Sequence, residues 1–381
     1  MIQEACARHA TGEKLAQVRN NEARLDFAQA GLLVLLASGL KSFSLKMKEV
    51  HMWTLTQPYF GLLCALLIFT FFPVRLEGQT WQPTKPVEFI IPAGTGGGAD
   101  VMARLISPII EKNKLSPQPF IPINKSGGAG AEGFTYVKGK KGDAHTIIIT
   151  LSNLFTTPLA TGVPFNWKDL TPLARLALDE FILWVNAETP YKSAREYIDA
   201  VKKSPATFKM GGTGSKQEDQ IITVQMEQAL GLKFLYVPFK GGGEVCVNLV
   251  GKQVDSTVNN PAECAGHWKA GRVRPLGVFD AERLSWAPGW GEIPTIKEAL
   301  GLDIQYLMLR GIFGPPDMPK EAVNWYISLL KRVSDSKEFK DYLLNNALKS
   351  AWQTGADYVK WVGGAERLHK DLMEKAGLLK K

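Results

Sequence analysis

Two glycine-rich runs, Pro92-Ala93-Gly94-Thr95-Gly96-Gly97-Gly98 and Gly211-Gly212-Thr213-Gly214-Ser215, are the parts of the chain best suited to holding an anion. Glycine has no Cβ and tolerates positive φ, so such a turn leaves backbone N–H groups free and lets a negative atom approach them closely. Ala93, Gly94, Thr95, Gly96 and Gly97 are therefore candidate ligand contacts. Thr213, Gly214 and Ser215 join them, with two hydroxyl donors beside the backbone. Facing loops of this kind can hold one carboxylate through neutral hydrogen bonds, without a buried Arg. The first run is not a Walker loop, because no Gly-Lys-Ser/Thr ends it, and Ala99 stands where the dinucleotide pattern wants its last glycine. Asn153 and the pair Asn259-Asn260 are further candidates, since an amide both donates and accepts, although each is also an ordinary turn residue. Lys216, Glu218 and Asp219 read either as a solvated helix start or as ligand contacts.

These residues do not add up to a catalytic constellation. There is no nucleophile elbow and no His in reach of a Ser-Asp pair. After residue 78 the histidines are His145, His267 and His369, with no paired-His helix and no CxxC, so no metal-ligand set is visible. The expectation is a binding protein that needs no cofactor and no metal.

The elements that must position these loops alternate in type. Val87–Ile91 reads as a strand, and after the first loop Val101, Met102, Leu105, Ile106, Ile109 and Ile110 recur at helical spacing, with Asp100 in the first turn. Thr146–Leu151 is a strand running into Ser152-Asn153. Phe181–Val185 leads to Ser193 and Glu196, a capping box for a helix ending near Lys203. Phe208–Met210 runs into the second loop, and the helix beyond it stops at Gly231. Phe234–Val237, Val254–Val258, Val273–Phe279 and Ile304–Phe313 complete the strands, and Pro319 opens a helix-rich tail at a first helical position. Strand and helix in alternation mean parallel-sheet α/β lobes. With one glycine loop in each half, two lobes face each other across a cleft, and the chain crosses between them near 180–187 and 298–310.

A hydrophobic content of 45% with 22% charged residues is that of a packed protein. The net charge of +8 forms no basic stripe with interleaved aromatics, so nucleic-acid binding is not expected, while a mildly basic surface still steers anions. Tyr59–Val74 is uncharged, too short for a comfortable membrane span, and fits a secretory apolar core that starts from Met47 or Met52 and is cleaved after Gly78. Residues 1–46 have no role in such a signal, which points to a start codon assigned too early. An uncleaved anchor is the alternative, with Ala28–Leu40 as its support. Cleavage leaves Cys246 and Cys264, read as buried small hydrophobes, with an intralobe disulfide also open to them in an oxidising compartment.

An ordered series of motifs resembles the tripartite tricarboxylate transporter receptor family, of TctC or Bug type. It runs from Pro92–Asp100 with Ala103-Arg104, through Asn124–Gly130, Trp167–Pro172, Gly212–Ser215, Val237–Gly242 and Ala270–Leu276, to Ile293–Thr295 and Gly314–Pro316. The likeness covers about residues 84–375. It implies a type II periplasmic-binding-protein fold with a crossover hinge, lobe 1 formed by 79–182 and 300–381 and lobe 2 by 183–299, closing on a carboxylated ligand. It further implies contact with the carboxylate by Ala93–Gly97 and Thr213–Ser215, and delivery to inner-membrane permease subunits. The expectation is a monomeric periplasmic receptor for a small mono-, di- or tricarboxylate, aromatic acids included. The alternatives are an α/β enzyme holding a phosphorylated ligand or nucleotide in the glycine loops, and a receptor that reports to a sensor protein. Lys216-Gln217-Glu218-Asp219 departs from the small residue and His that many relatives carry there, so the resemblance does not transfer the distal ligand specificity.

Overall fold

Val87–Ile91 forms the first strand, β1, with four of its five residues buried, as a strand covered on both faces requires. The computed structural model describes residues 81–380. The apolar run 59–74, cleavage after Gly78 and the reading of residues 1–46 lie outside the described residues. From β1 the chain continues through α1 (Gly98–Lys112), β2 (Phe120–Asn124), α2 (Ala131–Lys138), β3 (Thr146–Thr150), α3 (Asn153–Thr161) and β4 (Thr171–Asp179). It then builds β5 (Ile182–Asn186), α4 (Ala194–Lys203), β6 (Lys209–Thr213), α5 (Glu218–Leu230), β7 (Leu235–Phe239), α6 (Gly242–Val250), β8 (Ser256–Asn259), α7 (Pro261–Lys269), β9 (Val273–Val278) and α8 (Ile296–Leu300). The last part is β10 (Met308–Gly314), α9 (Lys320–Asp335), α10 (Lys337–Asn345), β11 (Lys349–Thr354) and α11 (Gly355–Lys375).

The strands form two sheets, ordered β11-β4-β10-β3-β1-β2 and β7-β6-β8-β5-β9, so the expected two-lobed α/β architecture is observed. Both sheets follow one plan. Three parallel strands are joined by an antiparallel one that arrives from the other lobe, β10 in the first and β5 in the second. The chain passes between sheets from Asp179 to Ile182 and returns between Leu300 and Met308. In such sheets the crevice beyond the carboxyl ends of the parallel strands is where ligands bind.

Local signals act as their chemistry dictates, with small departures. The Ser193 hydroxyl accepts the Glu196 N–H at 3.2 Å, but the Glu196 carboxylate accepts the N–H of Lys192 and not that of Ser193, so the expected box is offset by one residue. Gly231, at φ 63°, ends α5. Pro319 caps α9 rather than occupying its first turn. The stretch 304–307 has no ladder partner, and the strand expected from Ile304 begins at Met308. Cys246 and Cys264 are buried but are not independent hydrophobes, because a disulfide joins α6 to α7 across 18 residues with Cα atoms 5.7 Å apart.

The junction of the lobes is polar and buried. Arg310, from β10, and Asp179, from β4, are 1% and 0% exposed and pair through both Nε and Nη2 of the guanidinium. Arg310 Nη2 also donates to Asn260 Oδ1 at 3.3 Å, and Asn260 Nδ2 donates to the Glu180 carbonyl at 2.7 Å. Glu263, in the first turn of α7, accepts the Gly98 N–H at 3.0 Å and so ties the second lobe to the start of α1. Burial alone would lower the Arg310 pKa, yet Asp179 and Glu263 hold its guanidinium protonated. Glu218 and Asp219 were expected as a solvated helix start or as ligand contacts. They are instead buried here, because the first turn of α5 packs into the junction. Burial pushes the Glu218 and Glu263 carboxyls up to about 7 and Asp219 well above the usual range.

Two outcomes follow from this junction and its staple. Cys246→Ser lowers the unfolding free energy by about 3 kcal/mol, the entropic share of a loop of roughly this length. Urea unfolding of parent and variant, with and without reductant, measures it, and an unchanged midpoint contradicts it. The pH outcome rests on the folded protein keeping protons on Glu218 and Glu263 that the unfolded chain releases above 4.5. Their stabilisation is fully present below that value and is lost as pH rises toward 7, by about 1.4 kcal/mol per pH unit for each carboxyl. His369, lowered to about 4 by burial, works in the opposite direction below 6.5 but is one group against two. Glu263→Gln therefore flattens the fall in stability between these limits. An identical slope in parent and variant defeats this assignment.

Candidate functional site

Between the lobes lies a cavity of about 680 Å³ whose walls come from both sheets. The first lobe contributes the end of β1 at Pro92-Ala93, the turn Ser126–Ala129 before α2, and Asn153 at the start of α3. The second contributes Thr213–Gln217, between β6 and α5, with Phe239 and Lys240 after β7.

Three helix N-termini point into this region of the fold, those of α2, α3 and α5, and none has its end capped by a side chain. The residues at or just before these ends, Ala129, Asn153 and Gln217, line the cavity. Uncapped N-termini carry partial positive charge and free N–H groups, the ordinary elements of an anion site. Eight lining residues, Ala93, Ser126, Gly128, Ala129, Leu151, Asn153, Ser215 and Gln217, have a backbone N–H without a protein partner among the described residues. Several nearby acceptors, by contrast, are occupied, although Asn153 Oδ1 is buried without a partner. Asn153 Nδ2 donates to the Pro92 carbonyl at 2.8 Å, while the Ala129 carbonyl accepts from Thr157 Oγ1 at 2.7 Å and from Gln217 Nε2 at 3.0 Å. The last of these bonds joins the lobes directly over the cavity. With the Pro92 and Ala129 carbonyls occupied and eight backbone donors open, the wall favours an acceptor-rich guest.

The turn geometry requires special residues at two places. Gly130 sits at φ 92°, and a Cβ there would meet the Asn153 amide and, at 2.7 Å, the Pro92 carbonyl. Ala129 and Lys216, both lining the cavity, hold left-handed backbone at φ 58° and 60° without being glycine. Non-glycine residues in that region cost energy and gather at functional sites.

The structure brings Ala93, Asn153, Thr213, Gly214 and Ser215 to this one cavity. Gly94, Gly96 and Gly97 are not on its wall and their donors are committed: Gly94 N–H to the Lys240 carbonyl at 3.3 Å, Gly96 N–H to Asp100 Oδ2 at 2.9 Å, and Gly97 N–H to the Gly94 carbonyl at 3.3 Å. Thr95 faces solvent. Gly94 is glycine because a Cβ there would lie 2.8 Å from the Lys240 carbonyl oxygen, so this loop is shaped for the other lobe's backbone. Thr213 N–H is likewise taken by Asp219 Oδ2 at 2.5 Å and Gly214 N–H by the Phe239 carbonyl at 2.8 Å. Asn259 and Asn260 are buried behind the cleft. Asn259 Nδ2 donates to the Gly242 carbonyl at 2.8 Å and its Oδ1 accepts from Thr257, while Asn260 serves the junction described above.

Sequence reasoning did not single out Ser126–Ala129, Gln217, Phe239 or Lys240 as site residues. The available signal was the run Ser126-Gly127-Gly128-Ala129-Gly130, a third glycine turn between strand and helix. A second cavity, of about 740 Å³, lies against α11 and residues 305–307 and contains none of the expected residues.

Comparison with known proteins agrees with this fold. The profile of the tripartite tricarboxylate transporter family receptor matches residues 102–378. A UPF0065 protein from the gbd 5′ region of Cupriavidus necator is 26% identical over 301 residues, covering 78% of this chain and 89% of the relative. Protein BugT of Bordetella pertussis is 25% identical, covering 72% and 78%. Among solved structures, R. palustris Rpa4515 with adipate is 25% identical with a TM-score of 0.71, covering 77% of this chain and 98% of that one. The periplasmic binding protein BugD shares the fold at 21% identity and a TM-score of 0.73, covering 78% and 100%. The chain thus belongs to the tripartite tricarboxylate transporter receptor family, a family of periplasmic binding proteins rather than enzymes.

Proposed function

We propose that the protein is an exported receptor that captures a small organic carboxylate between its lobes and presents it, closed, to the permease subunits of a tripartite transporter. The observation that carries this reading is the convergence of three uncapped helix N-termini and eight unpartnered backbone N–H groups on one cavity whose lining includes no carboxylate. Such a wall stabilises a carboxylate through neutral donors and dipoles. Ala93, Asn153, Thr213, Gly214 and Ser215 are the expected contacts that remain, joined by Gly128 and Ala129. The relative solved with adipate supports the ligand class. The disulfide suits an oxidising compartment and so a periplasmic location.

Closure is part of the proposal. Lobe 1 comprises 79–182 and 300–381 and lobe 2 comprises 183–299, and the protein works as a monomer. A ligand that touches donors of both lobes interacts more favourably with the closed form and shifts the population toward it. Residues near the two crossings absorb the rotation.

Calorimetry with adipate, succinate and malate tests the reading. Thr213→Ala combined with Ser215→Ala weakens binding by about 1–3 kcal/mol, the worth of two neutral hydrogen bonds. Unchanged affinity in a folded double variant removes these hydroxyls from the site. Gly94→Ala acts differently, since its Cβ meets the Lys240 carbonyl of the other lobe. It reduces ligand-induced compaction in small-angle scattering, and equal compaction in parent and variant contradicts that role.

A further inference from the structure

The charges on the cavity wall are all of one sign. Lys216 and Lys240 are its only charged lining residues, and both belong to the second lobe. Neither ammonium has an ion-pair partner among the described residues, and no carboxylate lines the cavity beside them. The two main chains are nevertheless anchored. Lys216 N–H donates to Gln220 Oε1 at 2.6 Å from left-handed backbone at φ 60°. Lys240 N–H donates to Glu244 Oε2 at 3.1 Å while its carbonyl accepts from Gly94 of the other lobe at 3.3 Å. Two cations are thus fixed at their Cα atoms beside the cavity with their heads uncompensated.

The unpartnered neutral donors, by contrast, come mostly from the first lobe: Ala93, Ser126, Gly128, Ala129, Leu151 and Asn153. One carboxylate placed on those donors leaves two ammonium groups unanswered on the facing wall. An ammonium is a strongly hydrated point charge with three donors, and it interacts best with a second full negative charge. About 680 Å³ is room enough for a guest with anionic groups several carbons apart.

We propose that Lys216 and Lys240 form a cationic subsite for a second anionic group on the ligand, so that they set a preference for dicarboxylates over monocarboxylates of the same carbon skeleton. The inference rests on the carboxylate reading above and adds to it which residues set the ligand's charge. It also gives a role to Lys216, which lies in the segment where the chain departs from the family pattern.

The test is calorimetry of the full chain with three matched pairs: adipate and hexanoate, glutarate and pentanoate, succinate and butyrate. The expected result is that any pair that binds shows the dicarboxylate at least about 10-fold tighter, as a charge-assisted hydrogen bond supplies, with a ratio that shrinks as salt is raised. Lys216→Met together with Lys240→Met brings the ratio to within about 3-fold, the residue left to weakly coupled charges, and Lys216→Arg with Lys240→Arg retains it. Circular dichroism checks that each variant is folded. A ratio near one in the parent, or a ratio unchanged in the double Met variant, overturns the inference while leaving carboxylate binding intact. Binding of neither member of any pair overturns the carboxylate reading, and the subsite with it.

Discussion

One buried guanidinium holds the arrangement together. Arg310 lies where the chain re-enters the first lobe, and within its reach are Asp179, Asn260 and, through the field, Glu263 and Glu218. A buried charge that loses its partner costs several kcal/mol, so Arg310 and Asp179 are tied to one another and to the strands that carry them. Those strands, β4 and β10, are hydrogen-bonded neighbours, and both lead directly into the crossings between lobes. The ion pair therefore fixes the strands that flank the crossings, and with them the point about which any relative motion of the lobes occurs. Glu180 has both carboxyl oxygens buried and unpartnered, and burial, with Asp179 beside it, pushes its pKa well above the usual carboxylate range. A junction with more carboxyls than cations raises the pKa of its carboxyls, because burial and neighbouring carboxylates both disfavour the charged form.

The glycine loops illustrate how one sequence signal serves two physical ends. Gly94 and Gly96–Gly98 were legible as a place where something approaches backbone closely. What approaches is the backbone of residues 240–243, as the contacts of Gly94 with Lys240 and of Gly243 with Gly96 show. Absence of a Cβ is equally needed for a carboxylate and for a neighbouring chain, so the pattern alone does not distinguish a ligand cradle from a lobe contact. Side-chain partners at long range, Glu263 above all, decide that Gly98 donates to protein, and a separation of 165 residues is invisible to local reading.

Much of the fold was readable because its strands are apolar and its loops glycine-rich. Val87–Ile91 and Thr146–Thr150 announce themselves as buried strands. The strands that were not read have the opposite character. β2 contains Pro122, which is tolerated because β2 is an edge of its sheet, and β11, the other edge, is polar. β4 carries Pro172 and Arg175 in a run that only its two neighbours make a strand. Missing β2 concealed the strand-to-helix character of Ser126–Gly130, and with it one wall of the cavity. Cys246 and Cys264 could not be paired from spacing, because the pairing depends on α6 and α7 lying side by side.

The cavity that results is asymmetric in its physics. The first lobe offers backbone donors and the ends of α2 and α3, which are neutral groups whose direction is fixed by the helices that carry them. The second offers hydroxyls, an amide and two ammonium groups on long side chains. Fixed dipoles select by geometry and lose little when the lobes part, since they are already oriented. Side chains on the opposite wall select by charge and reach, and they act fully only when the cleft is shut. Gln217 Nε2 on the Ala129 carbonyl and Gly94 on the Lys240 carbonyl are bonds between the lobes that need no ligand. In the closure proposed above, the free energy is divided between protein contacts at the edge of the cleft and ligand contacts within it. A guest shifts the equilibrium only by the part it supplies, so discrimination among guests falls to the groups that the protein leaves unsatisfied.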